Sequence, residues 1–144
     1  METTPQPPVS KAALWTGRVL SAVPVLMLLV SAGMKFAKPP PVLDGFAHLG
    51  YPAATITGLG VLEVVCTVAY LVPATSVLGA ILVTGYLGGA VASTFRAGDA
   101  YAWPLILGIL AWAGLYLREP RLRAVLPFTG SRKPVPPAGG SVLI

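Results

Sequence analysis

Residues 52–72 have the sequence PAATITGLGVLEVVCTVAYLV, which is apolar apart from Glu63 and a few small polar side chains. An α-helix needs about 20 such residues to cross the hydrocarbon core of a membrane. An ionisable side chain at the centre of a membrane helix costs roughly 2.5 to 3.5 kcal/mol on insertion scales. The stretch therefore predicts a membrane-spanning helix in which Glu63 has a partner, a proton or a function.

Three further apolar runs are long enough to cross a membrane, at residues 14–34, 76–95 and 101–117. Of the 144 residues, 55% are hydrophobic and 10% are charged, which is too apolar for one soluble domain of this length. We therefore predict an all-α four-transmembrane-helix bundle over residues 14–126, with no room for a soluble catalytic domain. Residues 1–13 and 127–144 are predicted to be flexible cytoplasmic tails because their composition cannot build a core.

The apolar run at residues 14–34 also has some features of a secretory signal peptide, with residues 19–30 as its apolar region and 31–33 as a loosely acceptable cleavage site. Arg18 would be an unusual insertion in such a peptide, and the apolar run continues to Met34. These two features favour a membrane helix.

The net charge of +5 comes from basic residues around the predicted spans, so it indicates membrane topology and not nucleic-acid binding. One side of the membrane would hold six of them: Lys11, Arg118, Arg121, Arg123, Arg132 and Lys133. The other side would hold three: Lys35, Lys38 and Arg96. This excess predicts a multi-pass protein of the cell (inner) membrane with both termini in the cytoplasm.

The polar residues around Glu63 predict which side of its helix faces the bundle interior. They share one helical face or lie one turn along it: Gly60, Cys66, Thr67 and Tyr70. Arg18 and Lys35 are the candidate cationic partners of Glu63. Distance along the helices favours Arg18, whereas the lean of helical side chains toward the helix N-terminus favours Lys35. Glu63 is either a protonated hydrogen-bond donor between helices or an ionised group that handles protons or binds a polar ligand.

The apolar run at residues 76–95 contains two small residues four apart, Gly85 and Gly89. This spacing lets helix backbones approach closely in lipid. Packing inside the bundle is the expected use of these glycines, and self-association into a homo-oligomer is the alternative. Tyr86 in the same run is placed to reach the polar interior with its hydroxyl.

The longest loop contains residues 42–49, which are predicted to form a short amphipathic helix at the membrane surface. Asp44 and His48 are four residues apart, so on a helix they could form a carboxylate–imidazole pair. These two residues are too few for a metal site. Cys66 is the single cysteine and excludes an intramolecular disulfide, and the single His excludes a bis-histidine haem site within one chain. No cofactor site is evident from the residues.

Several short motifs together resemble the DoxX-like family of small four-helix membrane proteins. They lie at residues 31–36 (SAGMKF), 46–52 (FAHLGYP), 60–63 (GVLE), 85–90 (GYLGGA) and 118–123 (REPRLR), with Arg18, Pro73 and residues 79–80 between or before them. The resemblance covers residues 18–127.

The resemblance implies a membrane subunit or anchor of a redox assembly, quinone- or thiol-linked, because the family is named for a membrane subunit associated with thiosulfate:quinone oxidoreductase. It also implies that Arg18, Lys35 and Glu63 are the family's intramembrane polar residues, that a quinone is a candidate cofactor and that a redox protein is a candidate partner. A small proton-coupled transporter and a purely structural membrane protein are the alternative functions.

Overall fold

The computed structural model describes residues 10–125, which fold into six α-helices and contain no strand. The helices are α1 (Lys11–Ala37), α2 (Pro40–His48), α3 (Ala53–Leu71), α4 (Ser76–Ala97), α5 (Ala102–Arg118) and α6 (Pro120–Val125). By length and apolar composition, α1, α3 and α4 can cross a membrane, and α5 is a shorter apolar helix. The predicted all-α membrane bundle is therefore confirmed.

The four long helices form a closed ring in which α1 packs against α3 and α5, and α4 packs against the same two helices. Short turns make α3 and α4, and α4 and α5, antiparallel neighbours. Helices α1 and α3 are antiparallel as well, because Ser21 in the first half of α1 meets Tyr70 near the end of α3. The bundle therefore has two ends. We call the end at which α2 lies, where α1 ends and α3 begins, the α2 face, and the opposite end, where α1 begins and α5 ends, the terminal face.

Apolar side chains cover the outside of the ring, as expected for a surface in contact with lipid. Large exposed examples occur on all four long helices: Leu26, Val30, Val61, Val65, Leu78, Ile81, Leu105 and Ile109. The interior, in contrast, contains polar and charged side chains: Ser21, Lys35, Glu63, Thr67 and Ser76. This distribution places the chemically reactive groups inside the bundle.

The terminal half of the ring is closely packed because glycines let the backbones meet. A Cβ atom at Gly17 would lie 2.9 Å from the carbonyl oxygen of Gly114, and a Cβ atom at Gly79 would overlap the backbone of Tyr70. The hydroxyl of Tyr70 donates to the carbonyl oxygen of Ala111 (2.7 Å) and lies 2.9 Å from the Oγ atom of Ser21. Helices α1, α3, α4 and α5 are thus held tightly together in this half.

The observed helices differ from the predicted spans by at most three residues at any end. The largest differences, of three residues each, are at the two ends of α1. At its start, residues 11–13 are helical and not part of a tail, because the hydroxyl of Ser10 accepts a hydrogen bond from the amide of Ala13 and caps the helix. Residues 1–9 of the first predicted tail and all of the second, residues 127–144, lie outside the described residues.

Candidate functional site

A buried ion pair lies inside the half of the bundle next to the α2 face. The Nζ atom of Lys35 on α1 is 2.9 Å from the Oε2 atom of Glu63 on α3, with side-chain exposures of 10% and 1%. The same ammonium group donates a hydrogen bond of 2.5 Å to the Oγ atom of Ser31, one turn earlier on α1. Each charge therefore has a direct partner, as a buried charge requires.

Gly60 explains how Lys35 reaches Glu63 across the helix interface. A Cβ atom at Gly60 would lie 3.2 Å from the Cβ atom of Lys35, so the two backbones meet at this level. Glu63 lies about one turn deeper on α3. The side chain of Lys35 leans back toward the start of α1, and that of Glu63 leans toward the start of α3, so the two converge.

The uneven ends of α1 and α3 explain why distances along the sequence did not identify this pair. Lys35 is two residues from the end of α1, whereas Gly60 is seven residues from the start of α3. At about 1.5 Å per residue, α3 extends about 7 Å beyond α1 at the α2 face. If the end of α1 and the start of α3 are assumed to lie at the same depth, the rise per residue places Lys35 too far from Glu63.

The ion pair lines a cavity of about 410 Å³ between the four long helices, which we call the central cavity. The ammonium group of Lys35 lies 5.8 Å from the ring centre of Phe46 and 5.9 Å from that of Tyr86, within the range of a cation–π interaction. Other aromatic and hydroxyl groups surround the same space: Tyr51, Trp103, Ser93 and Thr94. The cavity thus combines a charged pair with a largely apolar and aromatic wall.

Gly85 and Gly89 line the central cavity, and the structure corrects their expected role. No atom lies within 4 Å of a Cβ built at either glycine, so the described chain has no close helix contact there. The physical reason is that α3 and α4 touch at Gly79, near their connecting turn, and leave open space farther along α4. Leu62 of α3 lines the same cavity and is 49% exposed. The cavity therefore extends to the lipid-facing surface between α3 and α4.

Four other residues of the predicted polar site lie outside the lining of the central cavity. Thr67 is buried and donates to the carbonyl oxygen of Glu63 in its own helix, and Cys66 is buried beside it. Tyr70 lies deeper, in the closely packed terminal half. Arg18 is exposed, with its guanidinium carbon 5.5 Å from the ring centre of Trp15, and does not pair with Glu63.

Arg118 approaches Tyr70 from the terminal face, an arrangement that the sequence reasoning missed. Its guanidinium carbon lies 4.8 Å from the ring centre of Tyr70, and its Nη2 atom donates to the carbonyl oxygen of Tyr70 at 3.2 Å. This carbonyl lies at the end of α3, where unpaired carbonyl groups favour a cation. Arg118 therefore joins α5 to the end of α3.

Three polar contacts connect the α2 region to α4. The Nε2 atom of His48 lies 3.2 Å from the Oδ2 atom of Asp99, the Arg96 side chain donates to the carbonyl oxygen of Leu49, and the hydroxyls of Tyr51 and Ser93 are 2.7 Å apart. The spacing of Asp44 and His48 allowed a pair between them, but His48 is the last residue of α2 and lies against Asp99 in the loop after α4 instead.

No group of three His, Cys, Asp or Glu residues that could hold a metal ion occurs among residues 10–125. The chemistry that the described site offers is that of one ammonium group, one carboxylate and neighbouring aromatic and hydroxyl groups. These groups can donate and accept hydrogen bonds, and can hold or move a proton inside the membrane.

The DoxX-like family model matches residues 19–114, about two thirds of the chain. The chain belongs to the DoxX-like family. The match includes Lys35, Glu63 and every residue that lines the central cavity. This DoxX-like chain matches no curated protein and no solved structure.

Proposed function

We propose that this DoxX-like membrane protein is a membrane subunit or anchor of a redox assembly, and that its central cavity binds the head group of a quinone. The observation that carries the proposal is the Lys35–Glu63 pair in a largely apolar cavity between the helices. Ligand sites commonly have this composition, with a few polar groups set in an apolar wall.

The cavity has the size and the groups that a quinone head requires. Its volume of about 410 Å³ lies within the range of roughly 300 to 1,000 Å³ that is usual for small-molecule sites. A quinone ring presents carbonyl oxygens, which accept hydrogen bonds, and two flat faces, which pack on aromatic rings. Lys35 and the hydroxyl of Tyr86 would donate to the carbonyl oxygens, and Phe46 would pack on the ring.

The opening between α3 and α4 supports a ligand that comes from the membrane. Gly85 and Gly89 lack side chains there, and Leu62 is exposed to lipid beside them. An apolar tail attached to the head group would leave the cavity by this route and remain in the bilayer. A redox partner protein would supply the electrons to the bound quinone.

A small proton-coupled transporter is the second candidate function, and the burial of an ionised pair at membrane depth favours it. The two functions predict different behaviour in purified protein. A transporter moves solute or protons when it is alone in liposomes, whereas a redox subunit retains quinone and a partner protein when it is purified from native membranes.

Native purification in mild detergent, followed by extraction and measurement of bound quinone, tests the proposal. We expect quinone with the wild-type protein and a loss of most of it in the double variant Lys35→Met/Glu63→Gln, which removes both charges and strands neither. The lipid-facing substitution Val61→Ala is the matched control and should retain quinone. Equal quinone in the double variant and the wild type would refute the cavity as the site.

A further inference from the structure

A second cavity, of about 360 Å³, lies beneath α2 and borders the central cavity. We call this second cavity the α2 passage. Five residues line both spaces: Ser31, Lys35, Phe46, Leu49 and Thr94. The side chain of Lys35 is therefore next to both spaces.

The far end of the α2 passage is lined by His48 and Asp99, whose Nε2 and Oδ2 atoms lie 3.2 Å apart. The side chains of these residues are 59% and 47% exposed, so this end opens at the surface of the α2 face. Between this surface and Lys35 the wall contains the hydroxyl groups of Thr94 and Ser31. The wall therefore has polar groups at both ends of the route, among apolar side chains such as Met34, Val42 and Phe46.

Water occupies internal spaces that are roomy enough and that offer it polar partners. The α2 passage meets both conditions, because its volume far exceeds the roughly 30 Å³ that one water molecule takes up in the liquid. A dry apolar gap would have neither the hydroxyl groups nor the charged end.

Toward the terminal face, the described residues line a cavity of about 590 Å³ between α4 and α5, which extends to Tyr116 and Leu122. Its wall is almost entirely apolar, so it offers water few polar partners. The lining of the central cavity reaches Met27 on α1, Glu63 on α3 and Leu107 on α5 toward the terminal face. Beyond this level lie the close backbone contacts of Gly17 with Gly114 and of Gly79 with Tyr70.

We propose that water, protons and small polar solutes reach the Lys35–Glu63 pair from the aqueous phase at the α2 face, through the α2 passage, and not from the terminal face. The inference goes beyond the proposed function, because it concerns the aqueous route to the pair and holds whatever ligand the central cavity binds. A membrane-soluble ligand and aqueous protons would then arrive by different routes.

Thiol labelling with a charged, membrane-impermeant methanethiosulfonate reagent tests this route. The background variant Cys66→Ala removes the single native thiol, and Ser31→Cys or Thr94→Cys places one thiol in the passage. Reference thiols at exposed positions mark the two faces, Ala47→Cys on α2 and Lys11→Cys at the start of α1. Intact cells and inside-out membrane vesicles each present one face to the reagent.

We expect the thiols at positions 31 and 94 to react in the preparation that labels the thiol at position 47, and not in the one that labels the thiol at position 11. Wild-type protein is the control for depth, because Cys66 is buried, lies close to Glu63 in sequence and is outside both cavity linings. Cys66 should react at least about tenfold more slowly than the thiols at positions 31 and 94, because thiolate formation requires access to water.

A plug in the passage provides the second measurement. Gly45 lines the passage, and no atom lies within 4 Å of a Cβ built there, so Gly45→Trp has room to obstruct it. The plug should slow labelling at position 31 and leave labelling at position 47 unchanged. The proposal would be overturned if the thiols at positions 31 and 94 reacted in the preparation that labels position 11. It would also be overturned if they reacted as slowly as Cys66. Either result would count against the route even if quinone binding were confirmed.

Discussion

At the scale of single residues, the structure gives Glu63 the cationic partner that one of its two sequence interpretations requires. The Oε2 atom of Glu63 lies 2.9 Å from the Nζ atom of Lys35. Replacing Glu63 by Gln would therefore leave the charge of Lys35 buried without its partner. We expect Glu63→Gln to lower the free energy of unfolding by about 3 to 5 kcal/mol, measured in detergent by thermal or denaturant unfolding.

The double variant Lys35→Met/Glu63→Gln is the control for this prediction, because it contains no stranded charge. Replacing both members of a buried pair by residues of similar size is often neutral for stability, so the double variant should be more stable than Glu63→Gln alone. Wild-type stability of the single variant would show instead that Glu63 is a neutral hydrogen-bonding group.

The residues of the site could be predicted from the sequence only in part. A carboxylate in an apolar run and a lysine at the end of another already identify Glu63 and Lys35 as unusual. Nothing in the sequence identifies Phe46 or Asp99 as part of the site. Their roles depend on how α2 packs over the bundle and on how close the loop after α4 comes to α2. Ser31 could have been found, since it lies one helical turn before Lys35 and faces the same side.

At the scale of helices, α4 contains glycines of two opposite kinds. Gly79 lies against the backbone of Ala69 and Tyr70, whereas Gly89 has no atom within 4 Å of a Cβ position. We expect Gly79→Ala to destabilise the protein by on the order of 1 to 3 kcal/mol or more, because the new methyl group would meet backbone that cannot move aside. Thermal unfolding in detergent is the measurement.

Gly89→Ala is the matched change on the same helix and should leave the melting temperature unchanged or raise it, because alanine favours a helix more than glycine does. A loss of stability in Gly89→Ala that accompanies the dissociation of a dimer would show that this part of α4 contacts a second copy of the chain. Equal effects at the two glycines would contradict the close contact at Gly79 and the open space at Gly89.

Helix positions could be predicted from the sequence because apolar run length and Pro-rich or Gly-containing turns are local signals. The spacing Gly85–Gly89 was misleading because small residues look the same whether they allow a close contact or leave a cavity. Which of the two holds depends on where the neighbouring helices lie. In this structure the close contact of α4 is at Gly79, outside the run of residues 85–89.

At the scale of the whole molecule, the buried position of Lys35 strengthens the predicted topology. Lys35 was one of three basic residues assigned to the α2 face, and because it is paired inside the bundle, two remain there, Lys38 and Arg96. Of the six basic residues assigned to the terminal face, four lie in the part of the chain that the structure describes (Lys11, Arg118, Arg121 and Arg123), and none of these four forms an ion pair with a buried carboxylate there. Because loop lysines and arginines favour the cytoplasmic side, we expect the terminal face to be cytoplasmic.

Fusions of a reporter that fluoresces only in the cytoplasm test this orientation. A fusion after Ile144 and one before Met1 should both fluoresce, because four antiparallel helices return the chain to the face at which it began. An insertion after Gly50, next to α2, is the control and should be dark. Fluorescence at one terminus only would contradict four crossings. Fluorescence only at Gly50 would invert the orientation and place the opening of the α2 passage in the cytoplasm.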